Sequence, residues 1–208
     1  MTHPAPRPRH LEDIVTDDAQ RHAADGMDDV VALLMRQHGE IRNLFDEVER
    51  SAGDDRRDAF RRLVRMLAVH ETAEEEVVHP VARRSFDGGE GVVEDRLREE
   101  KQAKEKLSRL DGMDTADAGF LPSLRELRTE VMAHARAEER YEFVQLRRRT
   151  GADRLARMAK AVKAAEAMAP IHPHPGVETA AKNIMAGPMA AMIDRTRDTI
   201  RKAMGKDG

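Results

Sequence analysis

The sequence predicts an all-α protein: an up-down-up-down four-helix bundle with a C-terminal helical extension. Four observations carry that prediction. Apolar residues recur at helical spacing in four long segments. The palette is helical: aromatics make up 3% of the 208 residues, with no Trp and one Tyr, so a core must be built from Leu, Val, Ala and Met. The alternating β-branched runs of strands are missing. Finally, the segments fall in the order helix–turn–helix, glycine loop, helix–turn–helix, which is two αα-hairpins closing on each other.

Residues 1–26, rich in Pro, Arg, His and Asp, read as a mobile arm. A mobile segment cannot preorganise ligands, so His3, His10 and His22 are set aside. The first helix covers about 28–50, with Asp28 and Asp29 favouring its N-terminal dipole. Its apolar stripe is Val31, Leu34, Ile41, Phe45 and Val48, with His38 inside it. After the Ser51-Ala-Gly-Asp-Asp turn, where Asp54 or Asp55 can cap, the second helix covers about 56–84. Leu63, Leu67, His70, Glu74 and Val77 line its inner face. His79 lies nine residues after His70, half a revolution round an α-helix, and so is expected to face away, with Pro80 kinking the chain beside it. Asp87-Gly-Gly-Glu-Gly is the sharpest loop signal, placed where a longer crossing between hairpins fits. The third helix covers about 92–110, and the fourth about 122–149. Leu124, Leu127, Val131, His134, Glu138 and Tyr141 are expected on the inner face of the fourth, Tyr141 either beside the site or filling the core. Together, 28–150 form the bundle and 151–208 the extension. The extension comprises a helix from Asp153, an extended Pro170-Ile-His-Pro-His-Pro-Gly linker and a Met-rich amphipathic segment. The apolar face of that segment, from Ile184 and Met185 to Ile200, is expected to pack on its own domain or on a twin subunit in a homodimer.

The chemistry lies in a repeat. His70-Glu-Thr-Ala-Glu74-Glu75 recurs as His134-Ala-Arg-Ala-Glu138-Glu139. On a helix, positions i and i+4 lie one turn apart on one face, so each His–Glu pair is a two-ligand claw. A single HxxxE arises often by chance, whereas two at matched places in two similar segments point to a metal. Imidazole and carboxylate suit iron, manganese or zinc, and facing helices build two-metal sites in this way. A bundle site draws on all four helices. His38 is the candidate from the first. The third has no histidine, and its inward face, set by Val93, Leu97 and Leu107, places Glu100 and Lys104 at the centre. The candidate metal ligands are therefore His38, His70, Glu74, Glu100, His134 and Glu138. This oxygen-rich shell favours iron, with manganese the alternative, over the thiolate surroundings of structural zinc.

The stretches DVVALLMRQHGEIRNLFDEV, HETAEEEVVHP and HARAEERYEF resemble the hemerythrin-like proteins, the bacterial HHE cation-binding domains, over about 28–150. The resemblance implies a four-helix bundle holding a non-haem di-iron centre. By motif it implies ligand roles for His38, His70, Glu74, His134 and Glu138. The chain departs from the family in the third helix, where Glu99-Glu100-Lys101 puts Lys101 in the place of the usual His. The functions implied are oxygen binding, oxidant sensing, peroxide breakdown and iron or nitric oxide handling. The reading is a protein that binds or senses dioxygen, peroxide or a similar small oxidant. Its rivals are a peroxide-consuming, catalase-like di-iron enzyme and a metal-free helical interaction protein.

The remaining expectations are exclusions. The net charge of -3 argues against a general nucleic-acid binder, whose affinity comes from neutralising phosphates. Zero cysteines exclude disulfides and iron–sulfur clusters. No stretch reaches the roughly 18 apolar residues of a membrane span, and the N-terminus has no signal-peptide apolar region, so a cytoplasmic protein is expected.

Overall fold

The computed structural model describes residues 29–168 and 188–205. The expected N-terminal arm with His3, His10 and His22, the Pro-rich linker with His172 and His174, and Ile184 and Met185 lie outside the described residues. The described residues are helical and contain no strand. Helix α1 spans Val30–Arg50. Its N-cap is Asp29, whose carboxylate accepts the Ala32 amide at 2.7 Å, satisfying one of the first-turn donors a helix leaves open. Arg147 donates to both oxygens of the same carboxylate at 2.8 and 2.9 Å, tying the end of the fourth helical rod to the start of the first.

The second rod is α2, Gly53–Ala73, then a π-helical turn over Glu74–Val78, then α3, His79–Ser85. The expected aspartate cap is absent here. Ala52 occupies the N-cap position, and Asp54 and Asp55 sit inside the first turn, where they favour the dipole without capping. The glycine loop is also shorter than expected. Gly88 adopts φ 82°, a left-handed conformation, and α4 begins at once, spanning Gly89–Asp111. A Cβ on Gly89 would lie 2.5 Å from the Ala82 carbonyl oxygen, so only glycine lets the chain turn this close to α3. The longer connection is the next one, after Asp111, braced by Arg56, which donates to the Thr115 carbonyl at 3.1 Å. The fourth rod is α5, Phe120–Ala137, a second π-helical turn over Glu138–Glu142, and α6, Phe143–Arg149. Helices α7, Ala152–Met168, and α8, Pro188–Ala203, follow.

The core is in two parts. One cluster holds Ile41, Phe45, Leu63, Leu67, Leu107, Phe120, Leu124 and Leu127. The other holds Val30, Leu34, Val77, Val81, Phe143 and Leu146 together with Leu155, Met158 and Val162 of α7 and Ile200 of α8. The extension is thus built into one end of the bundle core. Met189 packs on the first cluster, so the Met-rich segment faces its own chain at this point. Glu76 fixes α8 from outside, accepting from Arg197 at 3.0 Å and from Arg201 at 3.1 Å. No helix among the described residues is long and apolar enough to cross a membrane.

Candidate metal centre

Between the two apolar clusters lies a layer of buried polar side chains: Gln37, His38, His70, Glu71, Glu74, His79, Glu100, Glu138 and Glu142. The claws supply its centre. His70 Nε2 lies 3.4 Å from Glu74, and His134 Nε2 lies 3.3 Å from Glu138, as one helical turn requires. His38 Nε2 approaches Glu138 at 3.4 Å and Glu74 at 3.9 Å. Ligand-type atoms of His38, His70, Glu74 and Glu138 all lie within 4.8 Å of one another, and so do those of Glu74, Glu100, His134 and Glu138. The two groups together are the six residues expected from the sequence. They share Glu74 and Glu138.

The atoms left without hydrogen-bond partners test whether this donor set suits a metal. Both carboxylate oxygens of Glu74 and of Glu138, His38 Nε2, His134 Nε2 and Glu100 Oε2 are buried and lack one. A buried polar atom without a partner is costly, and here the orphans converge on one point. Each of the three histidines has its other nitrogen engaged. His38 Nδ1 meets Glu139 at 2.8 Å, His70 Nδ1 meets Gln37 at 2.9 Å, and His134 Nδ1 meets Glu99 at 2.9 Å. Such outer partners orient metal-binding imidazoles and leave Nε2 free for the ion. The residues fit a metal.

A model of the hemerythrin HHE cation-binding domain matches residues 29–146. The chain belongs to the hemerythrin HHE family. The chain is 27% identical over 135 residues to a protein of Nostoc sp. called a DNA nickase, the match covering 64% of this chain and 38% of that protein. No solved structure matches the chain.

In this hemerythrin-like chain the third rod presents a glutamate rather than Lys101 to the layer. Lys101 is exposed, and Glu100 is the residue turned into the layer. Lys104 points the same way, pairing with Glu75 and lying 3.6 Å from Glu100 and 3.7 Å from Glu71. Glu75 and Glu139, which follow the claws, are partners of Lys104 and His38.

Two expectations are corrected. His79 does not face away. It is 2% exposed, with Nε2 2.6 Å from Glu100 and Nδ1 3.0 Å from Glu142. Tyr141 does not face inward. It is 58% exposed, and its neighbour Glu142 takes the buried place. The two errors have one cause. The His79 amide bonds the Glu74 carbonyl, and the Phe143 amide bonds the Glu138 carbonyl, each five residues back. A π-turn inserts one residue into the helix and turns everything beyond it back by about 100°. Pro80 is the signal available in the second rod, since it has no N–H to continue the α-pattern. The fourth rod has no such signal.

The electrostatics follow from many carboxylates sharing one buried layer. Burial, then the nearby Glu138, Glu100 and Glu142, push Glu74 well above the usual carboxylate range. Glu138 is pushed up by burial, but His134 and His38 outweigh this and hold it well below its usual value. Burial pushes His70 well down, aided by His38. Burial lowers His134 too, but Glu138 and Glu99 raise it to about 10. Glu71 is lifted to about 8 by burial, against the pull of Lys104. The layer therefore holds protons where a bound cation would otherwise neutralise it.

Proposed function

We propose that the chain is a non-haem di-iron protein that binds a small oxidant, dioxygen or a peroxide. The observation that carries the reading is the pair of four-residue groups sharing Glu74 and Glu138, with their unpartnered atoms converging. His38 and His70 would hold one ion and His134 and Glu100 the other, with the two shared glutamates between them. Manganese meets the same donors, and a set without thiolate has no feature favouring structural zinc. Bound iron would supply electron transfer and Lewis-acid activation of an oxygen ligand. The chain itself orients the imidazoles through Glu139, Gln37 and Glu99. It flanks the layer with the two apolar clusters and sets a cation, Lys104, beside Glu100. A cytoplasmic location is part of the same proposal.

Three histidines and three carboxylates make a shell that stabilises ferric iron, which supports peroxide or redox chemistry over reversible oxygen carriage. An oxygen adduct lasting hours before autoxidation would sink that preference. A peroxide-consuming enzyme is the second reading, and steady oxygen release from peroxide, lost in His70→Ala, would favour it. The deciding experiment is metal content per chain with a near-ultraviolet and visible spectrum. About two irons with oxo-to-iron charge-transfer bands support the proposal. No metal after anaerobic ferrous reconstitution overturns it in favour of a metal-free interaction protein.

A further inference from the structure

A cavity of about 210 Å³ opens against one face of the polar layer. Its floor includes His38, His70, Glu100 and His134. Its inner walls are Ile41, Leu67, Ala103 and Val131. Each wall residue lies three positions from a floor residue, and because the rods alternate in direction, all four fall on the same side of the layer. The walls are buried and apolar. Ala103 is the small one, and space opens where three larger side chains face a methyl group. The mouth lies between α4 and α5, at the exposed Gln102 and Ala133. On the other side of the layer the Phe143 ring stacks on His38 at 5.7 Å and the second apolar cluster follows.

The size of the cavity matters. A water molecule's share of volume is about 30 Å³, and an engineered apolar cavity of about 150 Å³ stays dry and admits benzene. Dioxygen or hydrogen peroxide, with two heavy atoms, would leave most of 210 Å³ unfilled. We infer that the oxidant bound at this centre is an organic hydroperoxide: its O–O head lies at the polar layer and an apolar body of up to single-ring size fills the chamber of Ile41, Leu67, Ala103 and Val131. The inference rests on the metal reading for the head group and on the chamber alone for the body.

The test uses the full chain loaded with redox-inert zinc, with binding followed by calorimetry and by NMR of the chamber methyl groups. tert-Butyl hydroperoxide is expected to bind at least tenfold more tightly than hydrogen peroxide. Ala103→Leu, which fills the chamber, is expected to remove that advantage while zinc per chain stays unchanged. Val131→Ala, which enlarges it, is expected to tighten binding of the bulkier cumene hydroperoxide, an outcome that misfolding cannot mimic. Equal affinities for tert-butyl hydroperoxide and hydrogen peroxide, or indifference to both substitutions, would overturn the inference. If the wild-type protein binds neither zinc nor ferrous iron, the metal reading and the hydroperoxide assignment fall together. Benzene-induced methyl shifts in the metal-free chain, abolished by Ala103→Leu, then decide whether the apolar chamber exists.

Discussion

His79→Ala should be among the most damaging single changes in the metal-free protein. The His79 ring joins two carboxylates, Glu100 and Glu142, through its two nitrogens, and all three residues are at most 2% exposed. Removing the ring leaves both acids buried with no imidazole between them. Breaking a buried ion pair by deleting one partner costs about 3–5 kcal/mol. For a chain of this size each kcal/mol moves the midpoint by about 2–4 °C, so the melting temperature should fall by about 6–20 °C. His79→Gln, which can still donate to one acid, should lose roughly half as much. The assay is thermal and urea unfolding of the metal-free chain followed by far-ultraviolet circular dichroism. The pH dependence adds a second check. Burial lowers the His79 pKa, but its bonds to Glu100 and Glu142 raise it to about 10, from 6.5. The folded state therefore holds this proton more tightly than the unfolded one. The stabilisation is complete below about pH 6.5 and is lost as the pH rises towards 10. The gap between wild type and His79→Ala should narrow over that interval. A penalty under about 1 kcal/mol at pH 6 would refute the reasoning, since surface substitutions cost no more than this.

Because Glu74 and Glu138 belong to both four-residue groups, replacing either with Ala should remove both ions, whereas Glu100→Gln should remove one; elemental analysis of metal per chain distinguishes these outcomes. Chelation should lower the melting temperature of the loaded protein by about 8–16 °C per ion, taking about 4 kcal/mol for metal held at a thousandfold above its dissociation constant; an unchanged melt would count against a metal centre. Tyr141→Ala should leave stability within about 0.5 kcal/mol and metal content untouched, because the ring is largely in solvent. Ile200→Ala, at a fully buried position where α8 enters the bundle core, should cost about 2–5 kcal/mol in urea unfolding.

The sequence made the four rods, the two claws and Glu100 legible for one physical reason. Each of those readings spans a stretch of unbroken α-helix, over which 100° per residue holds: four residues from His70 to Glu74, four from His134 to Glu138, and three or seven from Glu100 to the apolar marks at Leu97 and Leu107. His79 and Tyr141 lie beyond a π-turn, and the same arithmetic carried across it is wrong by about one residue's rotation. Glu142 and Gln37 escaped notice because a lone acid or amide on a helix is ordinarily solvated, and only the opposing His79 and His70 give them a buried role. The short turn at Gly88 was misjudged because glycines announce a bend without stating its length.

The division of the core by a charged layer has a consequence for how the molecule breathes. Apolar contacts at the Phe45 end and at the Phe143 end form separate clusters joined along α8 through Met189 and Ile200, so the two ends can loosen unequally. In the metal-free chain the amides of the two ends should exchange with solvent at different opening free energies, with the histidines and glutamates between them acting as a fault line. Cations drawn into that layer would work as rivets across it, and the two opening energies should merge into one as the ions bind.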